Sequence, residues 1–288
     1  MRPLDILLFA LVVYGWSTSW LPLKWQAVPG VAPEVSVMWR FILAGGLMML
    51  FAVLTGRWRI DRSGLLMAIG LGACLFSCNF MLFYYGAYQV TSGLLAVMFA
   101  TASLINLFYS RLLFGTTIGL VALGGTVLGF SGVALLYWPE ISQGQAGLVS
   151  LAFCLSGTLL FCTGNMISTH AQRQGYGIVP LTAWGMIFGA LAMLGLSLIR
   201  GKPLTWEPTW TYVGGTVYLA IFSSIIAFGA YLNLLGRIGP GRAAYATVLF
   251  PPFALLISTV VEGYQWTWLG AIGLICVLLG LVMVMLRR

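Results

Sequence analysis

Residues 178–199 read IVPLTAWGMIFGALAMLGLSLI, a run of 22 residues without a charged side chain. An α-helix needs about 20 apolar residues to cross the hydrocarbon of a bilayer, where it satisfies its own backbone hydrogen bonds. The whole chain shares this character, because 60% of its 288 residues are apolar and only 7% are charged. Soluble domains carry about 25% charged residues. The composition predicts an integral membrane protein and argues against a soluble enzyme, a secreted disulfide scaffold or a nucleic-acid-binding module.

Nine further apolar stretches continue this pattern on both sides of the first. The ten predicted spans are approximately 4–22, 34–55, 64–86, 91–113, 116–138, 147–169, 178–199, 210–235, 240–261 and 267–286. The sequence therefore predicts an all-α, polytopic membrane protein of ten transmembrane helices joined by short connections. We interpret the first stretch as a helix and not as a removed signal peptide, because no small-residue cleavage site follows it.

The positions of Lys and Arg predict the orientation, because cytoplasmic loops carry the excess of these residues. With the N-terminus inside, three cationic residues fall outside and ten fall inside, namely Arg2, Arg57, Arg59, Arg62, Arg111, Arg173, Arg237, Arg242, Arg287 and Arg288. The three outside are Lys24, Arg200 and Lys202. Both termini are thus predicted to be cytoplasmic, and topology accounts for most of the net charge of +8.

The two halves of the chain resemble each other at an offset of 148 residues. Matched pairs are Gly93 with Gly241, Gly125 with Gly273, Gly132 with Gly280, Ala96 with Ala244, and Phe83 with Tyr231. Trp39 and Trp184 relate the second and seventh helices at a slightly different offset. The predicted units are a first repeat (1–138), an outer linker (139–146) and a second repeat (147–288).

A repeat of five helices has an odd number of spans, so its second copy must be inverted in the membrane. The loops agree with this inversion, since the turn at 89–93 carries no charge and its counterpart carries Arg237 and Arg242. Inverted repeats place a substrate site near the bilayer midplane and give access to it from each side in turn. A transporter is therefore the leading hypothesis.

Several scattered motifs resemble the EamA-type drug/metabolite transporter family. They are Gly15-Trp16-Ser17, Arg40, the turns Thr91-Ser92-Gly93 and Gly239-Pro240-Gly241, Pro251, and Glu262 before Trp268 and Gly270. The resemblance implies a ten-helix inverted-repeat carrier that exports metabolites across the bacterial inner membrane, with aromatic amino acid exporters (YddG-like) as the nearest branch. It also implies that helices one, three, four, six, eight and nine line the path, with five and ten at the periphery.

Aromatic and uncharged polar residues within the spans are the candidates for substrate binding. We predict a cavity formed by Trp16, Trp20, Asn79, Phe83, Met98, Thr101, Asn165, Tyr231 and Tyr245. Its rings would receive the apolar part of an amphiphilic substrate such as an amino acid, and its polar groups the charged ends. The alternative is structural, because Trp and Tyr also form interfacial belts and polar groups also bond helix to helix.

Three residues are candidates for a gate or a charge handle: Arg40, Pro251 and Glu262. A charge inside a span is unfavourable unless it is paired or reaches the interface. Arg40 is thus either a handle for a substrate carboxylate, or a structural group that snorkels or pairs with Glu34. Pro251 and Pro252 are predicted to interrupt the ninth helix, either as a moving kink or as a static bend.

The acidic residues all fall at predicted helix ends or in loops, which favours facilitated transport over coupling to an ion. A proton-coupled drug/metabolite exporter is the alternative, and a channel is less favoured. The sequence Gly129-Phe130-Ser131-Gly132 resembles the nucleophile motif of rhomboid proteases, but the lone His170 is predicted far from Ser131. We therefore predict no enzyme, metal or cofactor, a small-molecule substrate, no nucleic acid, and a monomer or homodimer in the lipid bilayer.

Overall fold

A computed structural model describes residues 2–115, 117–142, 145–243 and 245–285. Their regular structure is entirely helical, as predicted. The helices are α1 (Pro3–Gln26), α2 (Pro33–Leu54), α3 (Arg62–Leu75), α4 (Cys78–Ala87), α5 (Ser92–Ala100), α6 (Ala102–Phe114), α7 (Leu120–Ser142), α8 (Gln145–Arg173), α9 (Ile178–Ile199), α10 (Trp210–Tyr218), a π-helix (Leu219–Ala227), α11 (Phe228–Ala243), α12 (Tyr245–Val261) and α13 (Trp268–Met285).

The helices have the length and composition of membrane spans. Among the described residues, eight helical stretches are long and apolar enough to cross a bilayer, and two shorter apolar helices follow at Leu249–Val261 and Trp268–Val284. A polytopic, all-α membrane protein is therefore confirmed.

Three predicted spans are confirmed as long apolar helices, but none of the three is a regular α-helix throughout. The third breaks between α3 and α4 at Ser77, whose hydroxyl donates to the carbonyl of Gly72 at 2.7 Å. The fourth breaks at Thr101, whose hydroxyl donates to the carbonyl of Met98 at 2.6 Å. The eighth passes through the π-helix. Hydropathy does not register such breaks, because local side chains satisfy the freed backbone groups and the sequence remains apolar.

Two expectations about proline are wrong. Pro251 and Pro252 lie inside α12, which continues past both of them. Likewise, the turn predicted at Gly239-Pro240-Gly241 falls within α11, which extends to Ala243. Proline removes one backbone donor, but its fixed φ is itself helical, so a membrane helix can accommodate it without a break.

Repeat-related helices pack against each other in antiparallel pairs. An ideal Cβ on Gly125 of α7 would lie 2.7 Å from the carbonyl oxygen of Gly280 on α13, and one on Gly132 would lie 2.5 Å from that of Gly273. Because Gly125 and Gly273 are repeat mates, as are Gly132 and Gly280, the contact is reciprocal. Pairs that run in opposite directions are the arrangement that two inverted repeats require.

The helices α2 and α9 form a second antiparallel pair. Gly45 of α2 packs on Met186 of α9, while Glu34 at the start of α2 meets Arg200 just beyond the end of α9. On its other side α9 packs closely on α3, where an ideal Cβ on Gly72 would lie 2.8 Å from the carbonyl oxygen of Gly185. Small residues at these positions let the helices approach closely.

Polar contacts join the two halves at both ends of the helix bundle. At the end that holds the N-terminus, Asp5 of α1 accepts from Arg237 of α11 at 2.7 Å. At the same end, Asp61 before α3 accepts from Tyr176 between α8 and α9 at 2.8 Å. The opposite end holds the Glu34–Arg200 pair and a bond between Ser92 and Glu262.

The Asp61 carboxylate caps α3 and predicts a pH dependence. Its bond from the backbone N–H of Gly64 (2.8 Å) and then that from Tyr176 lower the pKa of Asp61 below its ordinary value of 3.8. A lowered pKa in the folded state contributes stability at higher pH, and this contribution is lost as pH falls through the folded value. Asp61→Asn is expected to melt about 2 °C below the wild type above pH 5, and the difference should shrink as the pH falls below 3.8.

Thermal melts of purified protein between pH 3 and pH 7 test this expectation. Asp5 also titrates in acid, so the comparison is the difference between variant and wild type at each pH. A difference that stays constant down to pH 3 would contradict a role for the charge of Asp61.

Candidate functional site

Eight aromatic rings meet in the middle of the bundle and form what we call the aromatic cluster. Its members are Trp16 and Trp20 of α1, Phe83 of α4, Phe99 of α5, Phe161 of α8, Phe228 and Tyr231 of α11, and Phe250 of α12. None is more than 5% exposed. Helices of both halves contribute, and they are the six helices that the family resemblance implies for the path.

Four predicted site residues are neighbours in this cluster. The ring centroids of Trp16 and Tyr231 lie 4.8 Å apart, and those of Trp20 and Phe83 lie 5.2 Å apart. The indole Nε1 of Trp20 is buried, and no residue that the structure describes accepts a hydrogen bond from it. The aromatic cluster is thus a packed apolar centre in which the Nε1–H of Trp20 is a hydrogen-bond donor without a described acceptor.

The sequence patterns do not single out four members of the cluster as site residues: Phe99, Phe161, Phe228 and Phe250. Phe228 could have been found, since the offset of 148 that pairs Phe83 with Tyr231 also pairs Phe80 with Phe228. Phe161 and Phe250 have no aromatic repeat mate. Their proximity to Trp16 (6.3 and 6.0 Å between centroids) depends on helix packing.

The remaining predicted residues differ in their surroundings. Asn79 and Asn165 are buried, and within the part of the chain that the structure describes neither the amide nitrogen nor the oxygen of either side chain has a hydrogen-bond partner. Asn79 lies one turn before Phe83 on α4, next to the cluster. Asn165 follows Gly164, which packs on Leu75 of α3.

Met98 and Thr101 are buried and bonded to each other, since the Thr101 hydroxyl donates to the Met98 carbonyl. The Thr101 side chain therefore has a local partner at the α5–α6 break. The side chain of Tyr245 lies outside the described residues.

Arg40 is fully buried next to the aromatic cluster. Its Nε donates to the hydroxyl of Ser224 at 3.0 Å and its Nη2 to that of Ser223 at 3.2 Å, both in the π-helix. Its guanidinium carbon lies 4.0 Å from the ring centroid of Phe80. Its Nη1 has no hydrogen-bond partner among the described residues, and the hydroxyl of Tyr84 lies near the guanidinium.

The two structural alternatives considered for Arg40 are therefore wrong. It does not snorkel, because none of its surface is exposed, and it does not pair with Glu34. Glu34 instead accepts from Arg200 at 3.0 Å and from the hydroxyl of Tyr85 at 3.0 Å. Hydrogen bonding to Tyr85, followed by the charge of Glu34, raises the pKa of Arg200.

A chain of buried polar groups leads from the end of the bundle opposite the N-terminus towards Arg40. Gln26 of α1 bonds Tyr84 of α4 and Thr216 of α10. Beside them, Ser36 of α2 bonds the hydroxyl of Tyr212 at 2.9 Å. We call these residues, together with Arg40, Ser223 and Ser224, the polar seam. It runs between α1, α2 and α4 of the first half and α10 and the π-helix of the second.

The other two gate candidates occupy different places. Glu262, just after α12, accepts from the backbone N–H of Ser92 at the start of α5 (3.0 Å) and from its hydroxyl. It thereby joins the two halves at the end opposite the N-terminus. Pro251 is buried within α12, next to Phe250 of the aromatic cluster.

Known proteins resemble this chain over nearly its whole length. The sequence profile described as the EamA-like transporter family matches it twice, over residues 4–138 and 148–286. The "Uncharacterized inner membrane transporter YedA" of Escherichia coli (strain K12) is 30% identical over 303 residues, which cover 98% of this chain and 92% of that protein. The "Uncharacterized transporter YdfC" of Bacillus subtilis (strain 168) is 23% identical, covering 94% and 85%.

A crystal structure of another protein shares the fold. It matches with a TM-score of 0.71 at 15% identity, over 98% of this chain and 96% of that chain. At this level of identity the similarity concerns the fold alone.

Proposed function

Because the chain belongs to the EamA-like transporter family, we propose that it exports small amphiphilic metabolites, including aromatic amino acids, across a bacterial inner membrane. Membership identifies a membrane transporter and not an enzyme. The substrate class and the direction of transport are the proposal. The substrate class rests on the aromatic cluster and on the polar groups beside it, and the direction rests on the resemblance to exporters of this family.

The composition of the aromatic cluster is the observation that carries this proposal. Aromatic rings favour edge-to-face contact with other rings, and most ring pairs in the cluster adopt this or a tilted geometry. An aromatic side chain that enters between Trp16, Trp20 and Phe99 would replace some of these contacts with equivalent ones. Phe83 and Tyr231, related by the repeat, would then contact it from opposite halves.

Alternating access is the proposed mechanism. The polar contacts between the halves at both ends support an occluded centre that opens to one side when one set of contacts breaks. Bonds of Glu34 and Glu262 would break on opening at one end, and the Asp5–Arg237 pair on opening at the other. We further propose cytoplasmic termini, on the distribution of Arg and Lys, and a monomer or homodimer.

Facilitated transport is favoured because the described acidic residues lie near helix ends, away from the aromatic cluster. One observation supports the proton-coupled alternative. Glu34 is a fully buried carboxylate paired with Arg200, and buried acidic residues are the groups at which transporters commonly bind a coupling ion. A proton-coupled drug/metabolite exporter is therefore the second candidate.

Exchange in proteoliposomes tests the function. Vesicles are loaded with labelled phenylalanine, and unlabelled tryptophan, threonine or a cationic drug is added outside, with and without an imposed proton gradient. Saturable exit accelerated by tryptophan without a gradient is expected. Linear, unsaturable flux would indicate a channel, movement only under a gradient would support the proton-coupled exporter, and no movement of any aromatic substrate would overturn the proposal.

Trp20 is expected to contribute strongly to this exchange. Trp20→Leu removes a ring that contacts Phe83 and Phe99, so phenylalanine exchange should fall about tenfold, while Trp20→Phe should retain most of it. Trp25→Leu is the matched control, since Trp25 is 38% exposed near the end of the same helix. Rates are normalised to reconstituted protein, and equal losses in Trp20→Leu and Trp25→Leu would speak against a substrate contact.

A further inference from the structure

We propose that Arg40 is the binding group for a negatively charged group of the substrate, a carboxylate in the case of amino acids. This inference rests on the proposed transport function and narrows it. The substrate would have to carry an anionic group within reach of an apolar, ring-sized portion. Amines without an acidic group would be excluded.

Charge balance is the first argument. Arg40 forms no ion pair with any residue that the structure describes, and Glu34 already pairs with Arg200. A buried charge is strongly unfavourable unless an opposite charge or several hydrogen bonds compensate it. Two serine hydroxyls, the nearby hydroxyl of Tyr84 and the face of Phe80 are all uncharged partners, so they compensate the charge only in part. An anion bound at the guanidinium of Arg40 would complete the compensation of its charge.

The second argument is the direction of the remaining donors. Ser224 and Ser223 accept from Nε and Nη2, which form one edge of the guanidinium. Nη1, which is buried and has no partner among the residues that the structure describes, lies on the other edge together with the second hydrogen of Nη2. A planar carboxylate can accept two parallel bonds from such an edge, which makes the recognition geometrically specific. The two serines thus fix the guanidinium of Arg40 on one edge, and its other edge, formed by Nη1 and Nη2, is free to bind a carboxylate through two hydrogen bonds.

The π-helix explains how both serines reach the same side chain. Ser223 and Ser224 are consecutive residues, and consecutive residues of an α-helix point in quite different directions. The π-helix has wider turns, and such segments are frequent at functional sites. Here it places two neighbouring hydroxyls against one guanidinium.

The apolar surroundings supply the rest of the substrate site. Phe80 stacks on Arg40 and contacts Phe228, with ring centroids 6.2 Å apart. Phe228 in turn contacts Trp16 at 5.7 Å. A carboxylate held at Arg40 would therefore leave the attached apolar group next to the aromatic cluster. On the other side, the polar seam offers a route of hydrogen-bonding groups from the end of the bundle.

Isosteric ligand pairs that differ only in charge test the proposal by direct binding. The pairs are 3-phenylpropionate with 3-phenylpropanamide, indole-3-acetate with indole-3-acetamide, and hexanoate with hexanamide. Binding to the purified full-length protein in nanodiscs is measured by the increase in Tm with ligand concentration. For at least one pair, the wild type is expected to bind the carboxylate about tenfold more tightly than the amide.

Variants at Arg40 then assign that preference. In Arg40→Gln the ratio of carboxylate affinity to amide affinity should fall to about one. Arg40→Lys should retain part of this preference, because lysine keeps the positive charge but lacks the two parallel donors of the guanidinium edge. Arg57→Gln, which removes an exposed positive charge from a loop, should leave the ratio unchanged. An unchanged ratio in Arg40→Gln, or no carboxylate preference in any wild-type pair, would overturn the proposal.

Two outcomes need separate measurements: a variant that fails to fold, and anion binding without transport of phenylalanine. Should Arg40→Gln fail to fold, Arg40→Lys and Ser224→Ala must each reduce the ratio at least threefold, and an unchanged ratio in both would refute the assignment. An Arg40-dependent preference for hexanoate without any phenylalanine exchange would remove the proposed aromatic substrate and leave the anion site standing. Phenylalanine exchange combined with equal affinity for carboxylate and amide would support the proposed aromatic substrate and remove the anion site at Arg40.

Discussion

Replacing Gly125 with alanine is expected to prevent most of the protein from accumulating in folded form, while the same change at the neighbouring Gly124 is expected to be tolerated. An ideal Cβ at Gly125 would lie 2.7 Å from the carbonyl oxygen of Gly280 and 2.7 Å from the Cβ of Met283. One at Gly124 would meet only the terminal methyl of Met283, at 3.6 Å. The pair of variants thus compares two adjacent positions of the same helix.

The size of the effect follows from what would have to move. At Gly125 the obstacle is the backbone of α13, so relief requires the separation of α7 and α13 along their contact. Overpacking of a well-packed contact costs about 3 kcal/mol when the backbone must shift. Membrane helices depend on such close contacts, since no hydrophobic effect drives them together inside the lipid.

The measurement is the yield and Tm of each variant by size-exclusion chromatography in detergent. Gly273→Ala, the repeat mate, is expected to behave like Gly125→Ala, because its Cβ would lie 2.7 Å from the carbonyl oxygen of Gly132. Equal Tm for Gly124→Ala and Gly125→Ala would show that the helices are not in close contact at this point.

The second large effect is expected for Arg200→Ala. Among the described residues, this change leaves the buried carboxylate of Glu34 with one hydrogen-bond donor, the hydroxyl of Tyr85, 3.0 Å away. Breaking a fully buried pair costs about 3–5 kcal/mol, but the side chain of Arg200 is 42% exposed, so solvent screening reduces the loss to about 2 kcal/mol. The Tm should fall accordingly, by several degrees.

A double variant separates charge burial from simple loss of a side chain. Glu34→Gln combined with Arg200→Ala removes the unpaired charge, and it is expected to recover at least half of the lost stability. Lys202→Ala, which changes an exposed cation two residues away, should be neutral. No recovery in the double variant would mean that Glu34 is stabilised by contacts other than its pair.

The regular parts of this fold could be predicted from sequence because each depends on short-range periodicity. Uncharged runs such as 178–199 specify helices of bilayer length, and the reciprocal glycine contacts between α7 and α13 were implicit in the offset of 148 residues. The interruptions at Ser77 and Thr101 and the π-helix were not predictable in this way. They preserve hydropathy and depend on single side-chain bonds.

The candidate site likewise has one part that the sequence pattern specifies and another part that depends on how the helices pack. Sequence alone determined which residue types lie within the spans: the tryptophans of α1, a lone arginine in α2 and aromatic residues at repeat-related positions. Only the tertiary structure decided that Arg40 meets Ser223 and Ser224, more than 180 residues away in the chain, and not Glu34 on its own helix. Periodicity acts along one helix, whereas the partner of a buried charge depends on which neighbouring helix faces it.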